Sequence, residues 1–467
     1  MEKPTSPSKR FHFLLSLLCA GVQVAHANIG DFGFGSRSAA LGATTAAWDF
    51  EGFNAYSNPA ALAFPSEKRI HLNWGLMAME PRLTAIGNVV VENDYTSDTV
   101  RSDSVDTAYR TVFGQAIGAT FKLFPEFHNL SFGITAFTPV EHLAFTDTGE
   151  AFVPEYVLYR ARMQRPQIEA GVGADLEGGL FVGAGLHIVY GLTGRGDLFL
   201  QTADGKPSTM RMSASIKPKV SPALAVTKIW DRGQGGEAPG STSLGAVLRF
   251  PAQSETVLDL TSSARAFGNL AALDVSFGAD STLFYDPLAV ELGMSWKHSP
   301  SSRAFLQLDF QRWSQFKSPA LSIQDPSEEC TPDVPGACDN LLVNPSTSPA
   351  FSYQDIFIPK VAEEVDLTDQ LTLRFGYGYR PSIFKSLPTG IGNYLDPPRH
   401  MINAGIGWKF RGLQMDLHAS YHALETQTIT KTPGDELGTL ANTKIGGPSY
   451  EAGGRIFGGG FTLGFEL

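Results

Sequence analysis

The sequence is poor in the features that mark the commonest protein classes. Of its 467 residues only three are cysteine and only 18% are charged. Beyond the first few dozen residues no apolar run approaches the roughly 20 residues that a transmembrane helix needs. A mean hydropathy of −0.06 likewise excludes a helical membrane protein. Positive charge is scarce as well, leaving a formal net charge of −11. Such a chain lacks the basic face that neutralises phosphates, so no nucleic-acid partner is expected. Glycine and phenylalanine, at 48 and 32, are plentiful instead. Proteins that alternate lipid-facing and lumen-facing side chains average to this middle composition.

The N-terminus carries an address. Lys3, Lys9 and Arg10 form a positive region, Phe11 to Ala20 an apolar one, and Ala25-His26-Ala27 a small-x-small cleavage site. Together they read as a signal peptide over residues 1–27, cut after Ala27, and they place the mature chain beyond the inner membrane. Cys19 leaves with it; Leu18 stands before it where a lipoprotein signal has a small residue. The mature chain then holds 33 basic and 46 acidic side chains, a net charge of −13. Cys330 and Cys338, seven residues apart between them, are expected to close a disulfide across a surface loop in an oxidising compartment. A zinc site would need more thiol or imidazole ligands nearby, so no metal and no other cofactor is expected.

From residue 68 onward the dominant pattern is period two. In Met401 to Phe410, the residues Ile402, Ala404, Ile406, Trp408 and Phe410 form one face, and Met401, Asn403, Gly405, Gly407 and Lys409 the other. Leu371 to Arg380 and Leu413 to Ala423 sort the same way. Such alternation marks strands with one apolar and one polar face. Segments of ten or more residues are long for a soluble sandwich, whereas membrane-spanning strands run to about 9–11. Read through the chain, the pattern gives strands near 68–79, 109–122, 130–139, 154–173, 179–192, 209–229, 242–264, 284–297, 302–316, 351–362, 369–381, 399–410, 412–426 and 450–467. An all-β, transmembrane antiparallel barrel of about 14 strands follows. Short links (residues 177–179, 298–301, 411–412) alternate with long ones (80–108, 193–208, 317–350, 381–399, 427–449), as periplasmic turns alternate with outer loops. Acidic residues crowd the long links, where they form a solvated face or bridge through divalent ions to lipopolysaccharide.

One stretch breaks the pattern. Residues 28–67 are rich in small residues and never settle into period two, and within them runs Asn54-Ala-Tyr-Ser-Asn-Pro-Ala-Ala-Leu-Ala63. This stretch is expected to be an N-terminal plug, or hatch, inside the lumen of a barrel formed by 68–467. Tyr56, Asn58, Pro59 and Ala60 are its candidate gating residues, because Asn58 can bond backbone in a turn and Pro59 fixes the chain direction. Gly133, in a short strand, is a candidate kink.

Catalytic constellations are thin. His418-Ala-Ser420 is similar to the His-x-Ser pair of outer-membrane phospholipases, but the Ser-Asn-Gly continuation is missing and alternation turns both residues to the lumen. Glycine-rich runs such as Gly171 to Asp175 lack the Lys-Ser/Thr of a phosphate loop. The chain is therefore not expected to be an enzyme.

Two places carry a family resemblance. Ser38-Ala-Ala-Leu-Gly42 followed by Tyr56-Ser-Asn-Pro-Ala-Ala-Leu62 resembles the mature N-terminus of the FadL-type outer-membrane long-chain fatty acid transporters and their TodX-like relatives. Leu371 to Pro381, followed by Asn393-Tyr-Leu-Asp-Pro-Pro-Arg-His400, is a second match near the C-terminus. The resemblance implies fourteen strands, a hatch, and passive uptake of fatty acids or other hydrophobic molecules that leave sideways through the wall into membrane lipid. Expected partners are those molecules, outer-membrane lipid and lipopolysaccharide, with the barrel acting as a monomer. A ligand carboxylate would need a cation, and Arg160, Arg162, Arg374 and Arg380 are the candidates, unless they pair with acids of hatch or wall. Phe181, Val189, Phe305 and Trp313, apolar on faces assigned to the lumen, either line a hydrophobic route or pack on the plug. The alternatives are a FadL-like barrel that shuttles secreted proteins and a barrel phospholipase.

Overall fold

The computed structural model describes residues 34–49, 51–65, 70–93, 98–105, 111–122, 129–140, 154–156, 166–201, 209–230, 238–266, 271–316, 322–323, 327–332, 351–387, 393–430, 443–446 and 449–466. Fourteen strands form a ring. In chain order they are β1 (Ile70–Leu83), β2 (Val112–Phe121), β3 (Leu130–Pro139), β4 (Gln167–Asp175), β5 (Leu180–Gln201), β6 (Thr209–Trp230), β7 (Thr242–Arg249), β8 (Leu288–Ser299), β9 (Ser302–Arg312), β10 (Ile356–Asp366), β11 (Leu371–Arg380), β12 (Arg399–Phe410), β13 (Leu413–Thr430) and β14 (Ser449–Glu466). Each pairs antiparallel with the next, and β14 closes on β1 from His71 opposite Glu466 to Leu83 opposite Gly454. Closure leaves no open edge in the ring, the condition for a sheet to span a bilayer.

The side-chain alternation explains which face is out. Ile117, Ile134, Leu186, Val226, Leu244, Leu292, Leu306, Phe357, Phe375, Ile402, Leu417 and Phe457 are all exposed, one on each strand from β2 to β14 except β4. A continuous apolar belt of this kind faces lipid. On β11, Phe375 and Tyr377 point out while Thr372, Arg374, Gly376, Gly378 and Arg380 are buried, as the period-two reading expects. Tight turns at residues 176–179, 300–301, 367–370 and 411–412 define one end. At the last of these Arg411 and Gly412 both have positive φ (50° and 81°), the geometry of a two-residue hairpin turn. The links that follow β1, β3, β5, β7, β9, β11 and β13 lie at the opposite, loop end.

Several strand boundaries move. The expected 242–264 strand breaks at Phe250-Pro251, because proline has no N–H to continue the ladder. Its second half, Ala252–Ala266, pairs instead with Ala271–Asp286 as a hairpin outside the ring, and runs parallel to the far part of β5. By contrast β6 continues through Pro218 and Pro222, which pair with Tyr190 and Leu186 of β5. Phe250 N donates to Pro222 O, so that residue's ladder groups point to the side where β7 has ended, and Pro218, four residues away, points the same way. The missing N–H groups thus cost no partner. The 154–173 strand shortens to Gln167–Asp175, and 351–362 shifts to Ile356–Asp366.

Residues 34–65 sit within the ring. They hold two short helices, α1 (Ser36–Ala40) and α2 (Asn54–Ser57), and a 3-10 turn at Pro59–Ala63. This segment meets every strand: Asn73 of β1, Gly118, Gly133, Gly173 and Gly183 of β2 to β5, Thr227 of β6, and Gly245 and Gly293 of β7 and β8. It continues with Gln307, Glu364, Gly376, Gly405, His418 and Thr462 on β9 to β14. A segment touching all members of a closed ring lies inside it.

Candidate functional site

The inner segment is held by two different kinds of contact. From β2 to β8 every strand but β6, which offers Thr227, presents a glycine to the segment. A Cβ on Gly133 would strike Leu62, one on Gly183 the Pro59 and Ala60 backbone, and one on Gly245 the Ala46 carbonyl. Backbone therefore approaches backbone, and apolar burial does the rest: Trp48 and Phe64 pack with Phe181 and Phe305, the Phe64 and Phe181 rings 5.0 Å apart. At Gly133 the wall makes one of these close approaches. The pairing of this glycine runs unbroken to Thr120 of β2 and Gly171 of β4, and its missing side chain makes room for Leu62.

Along β9 to β13 ionic contacts are added to the close approaches at Gly376 and Gly405. Arg37 grips both oxygens of Glu364 at 3.0 and 3.2 Å and reaches Asp49 at 3.1 Å. Arg374 meets Glu364 at 2.6 Å and also bonds Asp416. Glu51 accepts from the Arg37 and Ser38 amides at 3.1 and 3.4 Å. Burial, reinforced by Asp49 and Asp416, raises the Glu51 carboxyl well above its ordinary value. Burial opposes the charge on Arg37, yet Glu364 and Asp49 outweigh it and hold the guanidinium charged. Further up the wall Lys360 pairs with Asp309 at 2.8 Å and Arg249 with Glu291 at 2.7 Å.

The four candidate gating residues fall in one compact turn. Asn58, fully buried, caps the 3-10 turn by accepting from Ala60 N at 2.9 Å, and donates to Ala46 O (2.7 Å) and Thr227 Oγ1 (2.9 Å). Pro59 opens that turn, where its missing N–H is no loss. Tyr56 lies under the Arg249 guanidinium, 4.8 Å from ring centre. It lines two cavities of about 70 and 40 Å³ that share Arg249, Glu291 and Gln311. At the short-turn end a larger cavity of about 360 Å³ is lined by Arg37, Trp48, Lys297, Glu364 and Arg374.

Of the arginines proposed for a ligand carboxylate, Arg374 is occupied by Glu364 and Asp416, and Arg380 by Asp396 at 2.9 Å. Arg160 and Arg162 lie outside the described residues, as do Cys338 and the leader 1–27; Cys330 is placed only by its backbone, opposite Leu273. His418 and Ser420 face inward, and His418 Nδ1 lies 2.9 Å from Ser36 Oγ, a contact between wall and inner segment. Phe181, Val189, Phe305 and Trp313 are all buried, the first and third against the inner segment.

Sequence reading missed an aromatic cluster at the loop end. Tyr285, Trp313, Phe384 and Tyr394 are buried together with Ile356, Ile358, Ile383 and Met401, and Phe316, Phe351 and Tyr353 pack on them. These rings come from five stretches of chain, of which alternation singled out only Trp313 as an apolar residue facing the lumen.

No family model matches the chain, and no curated protein sequence matches it. Solved structures do. A Pseudomonas aeruginosa FadL homologue shares 13% identity with a TM-score of 0.58, covering 96% of this chain and 100% of its own. The P. putida toluene transporter TodX shares 14% at a TM-score of 0.52, covering 94% and 99%. The monoaromatic hydrocarbon channel CymD shares 13% at 0.53, covering 94% and 98%. The chain shares its fold with these proteins over 94–96% of its length.

Proposed function

We propose that the protein is an outer-membrane channel for passive uptake of hydrophobic compounds, long-chain fatty acids or related molecules, exported by a signal peptide cut after Ala27 and acting without catalysis. The observation that carries this reading is a lipid-belted barrel whose bore is filled by residues 34–65 and whose loop end holds an apolar aromatic cluster. A filled bore suits a solute that gains roughly 0.8 kcal/mol per methylene by staying out of water, and does not suit an open aqueous pore. The likeness to channels described as FadL-like, toluene-transporting and monoaromatic supports the same substrate class.

Within that reading residues 28–67 act as a hatch on a barrel of 68–467, and the turn Tyr56 to Ala60 gates release sideways into membrane lipid. Tyr56 supports this role by lining, with Arg249, both of these cavities. Uptake of labelled oleate and of toluene by cells with and without the protein tests the channel. Equal uptake of both compounds overturns it, and unchanged uptake after replacement of residues 54–63 overturns the gate alone. A second reading, a barrel that docks a secreted protein, draws on the same filled bore and gains if deletion alters secretion but not uptake. The phospholipase reading loses its support, since it requires Ser420 on the lipid side.

A further inference from the structure

The aromatic cluster contains a feature that packing alone does not call for. Tyr285 stacks on Phe316 at 5.0 Å, Phe316 lies 4.9 Å from Tyr353, and Tyr353 lies 5.2 Å from Phe384 and 5.7 Å from Phe351. The stretches bearing these rings are pinned at their bases. Ser314 N donates to Asp355 at 2.9 Å, Gln354 N to Ile383 O at 2.8 Å, and Ile383 N to Asp396 at 2.8 Å. Polar atoms elsewhere in the cluster are paired: Trp313 Nε1 donates to Gln311 at 2.8 Å and the Tyr285 hydroxyl to Arg312 O at 3.4 Å. The Tyr353 hydroxyl is shielded from solvent and, among the described residues, has no hydrogen-bond partner.

A buried, unsatisfied hydroxyl is costly and rare in native proteins, and phenylalanine at this position would make the same ring contacts without that cost. Two-point recognition accounts for it. Ring faces and edges select a planar aromatic molecule through offset and edge contacts, and a single unpaired, shielded donor selects one that brings an acceptor. We infer that the cluster is a binding site for aromatic molecules bearing one hydrogen-bond acceptor, such as aryl ketones or aryl esters, with the Tyr353 hydroxyl donating to that acceptor. This rests on the reading of the protein as a hydrophobic-compound channel and narrows its substrate class. Tyr353 is then a specificity-determining residue. A bare hydrocarbon of the same shape enters the rings but leaves the hydroxyl unpaired.

Acetophenone and ethylbenzene share a skeleton and differ in the acceptor, so they serve as probes. Equilibrium dialysis of the full-length protein in lipid nanodiscs, corrected for partition into empty discs, is expected to show acetophenone bound roughly three- to tenfold more tightly. Tyr353→Phe is expected to bring that ratio close to one, leave ethylbenzene affinity unchanged, and keep or raise the melting temperature. An unchanged ratio in Tyr353→Phe overturns the inference. Equal weakening of both probes with a lowered melting temperature also overturns it, by making Tyr353 a packing residue. Uptake of ethylbenzene by cells separates the two claims: dependence on the protein with no Tyr353-dependent preference sinks only this inference, whereas independence sinks the channel reading beneath it.

Discussion

Two arcs of the same wall hold the same inner segment by different physics. From β2 to β8 every strand but β6 gives up a side chain, and Gly118, Gly133, Gly173, Gly183, Gly245 and Gly293 let backbone and small residues of 34–65 lie directly against the strands. From β9 to β13 the wall keeps long charged side chains, and Arg37, Glu364, Arg374 and Asp416 form a chain of buried charges across the gap. The first arc depends chiefly on shape, with the Arg249–Glu291 pair and the Arg249 bond to Ser57 O as its charged contacts. The second depends on charge balance, so it responds to the loss of one partner far more than to the loss of a whole pair.

The largest effect is therefore expected from Arg374→Ala. It leaves Glu364 and Asp416 without a shared cation and should destabilise the folded barrel by about 3–5 kcal/mol, read as a lowered melting temperature in detergent. Adding Glu364→Gln should recover part of the loss. If the double variant is as unstable as the sum of the two singles, the charged arc is not a coupled network.

Gly245→Val tests the other arc. Its Cβ falls on the Ala46 carbonyl, so the segment must shift, at a cost of about 1–3 kcal/mol. The sharper readout is local: protease cleavage within residues 34–65 should accelerate in Gly245→Val. Ala in place of Asn58 should cost about 1–2 kcal/mol by removing the cap on Ala60 and the links to Ala46 and Thr227. Cleavage near Pro59 that stays at the wild-type rate would show that this turn is held by the glycines alone.

How much of this was legible depends on range. The faces of β11, β12 and β13 follow from alternation, because a strand's side chains have a fixed period, and so Arg374, Asp416 and His418 were placed on the inward face from the sequence. That Arg374 would meet Glu364 and Asp416 was not legible. Those contacts are set by register across four strands, β10 to β13, which no local pattern records. Gly133 shows the converse: glycine in a strand signals close approach or a bend, and only the position of Leu62 shows the close approach. The Tyr353 site was out of reach for the same reason, since its rings converge from stretches more than 100 residues apart, Tyr285 to Tyr394.

The smallest expected effect, and the one that separates the arcs most cleanly, is a pH dependence confined to one of them. Glu51 faces Asp49 and Arg37 within the inner segment and Asp416 and Arg374 on the wall. Burial first, then the two neighbouring carboxylates, raise its carboxyl above the ordinary value of 4.5, while the two arginines offset part of that rise. The docked segment thus binds the proton more tightly than an undocked one. Its contribution to docking is full below pH about 4.5 and is lost as pH rises through the raised value. Arg37 and Ser38 amides, which donate to Glu51, should exchange hydrogen more slowly at pH 5 than at pH 8 once intrinsic rates are divided out. Glu51→Gln should flatten that difference, while the amide of Asn58, which turns against Thr227 on the first arc, should show none in either protein. Slower exchange at pH 8 would reverse the sign and remove burial as the dominant influence on Glu51.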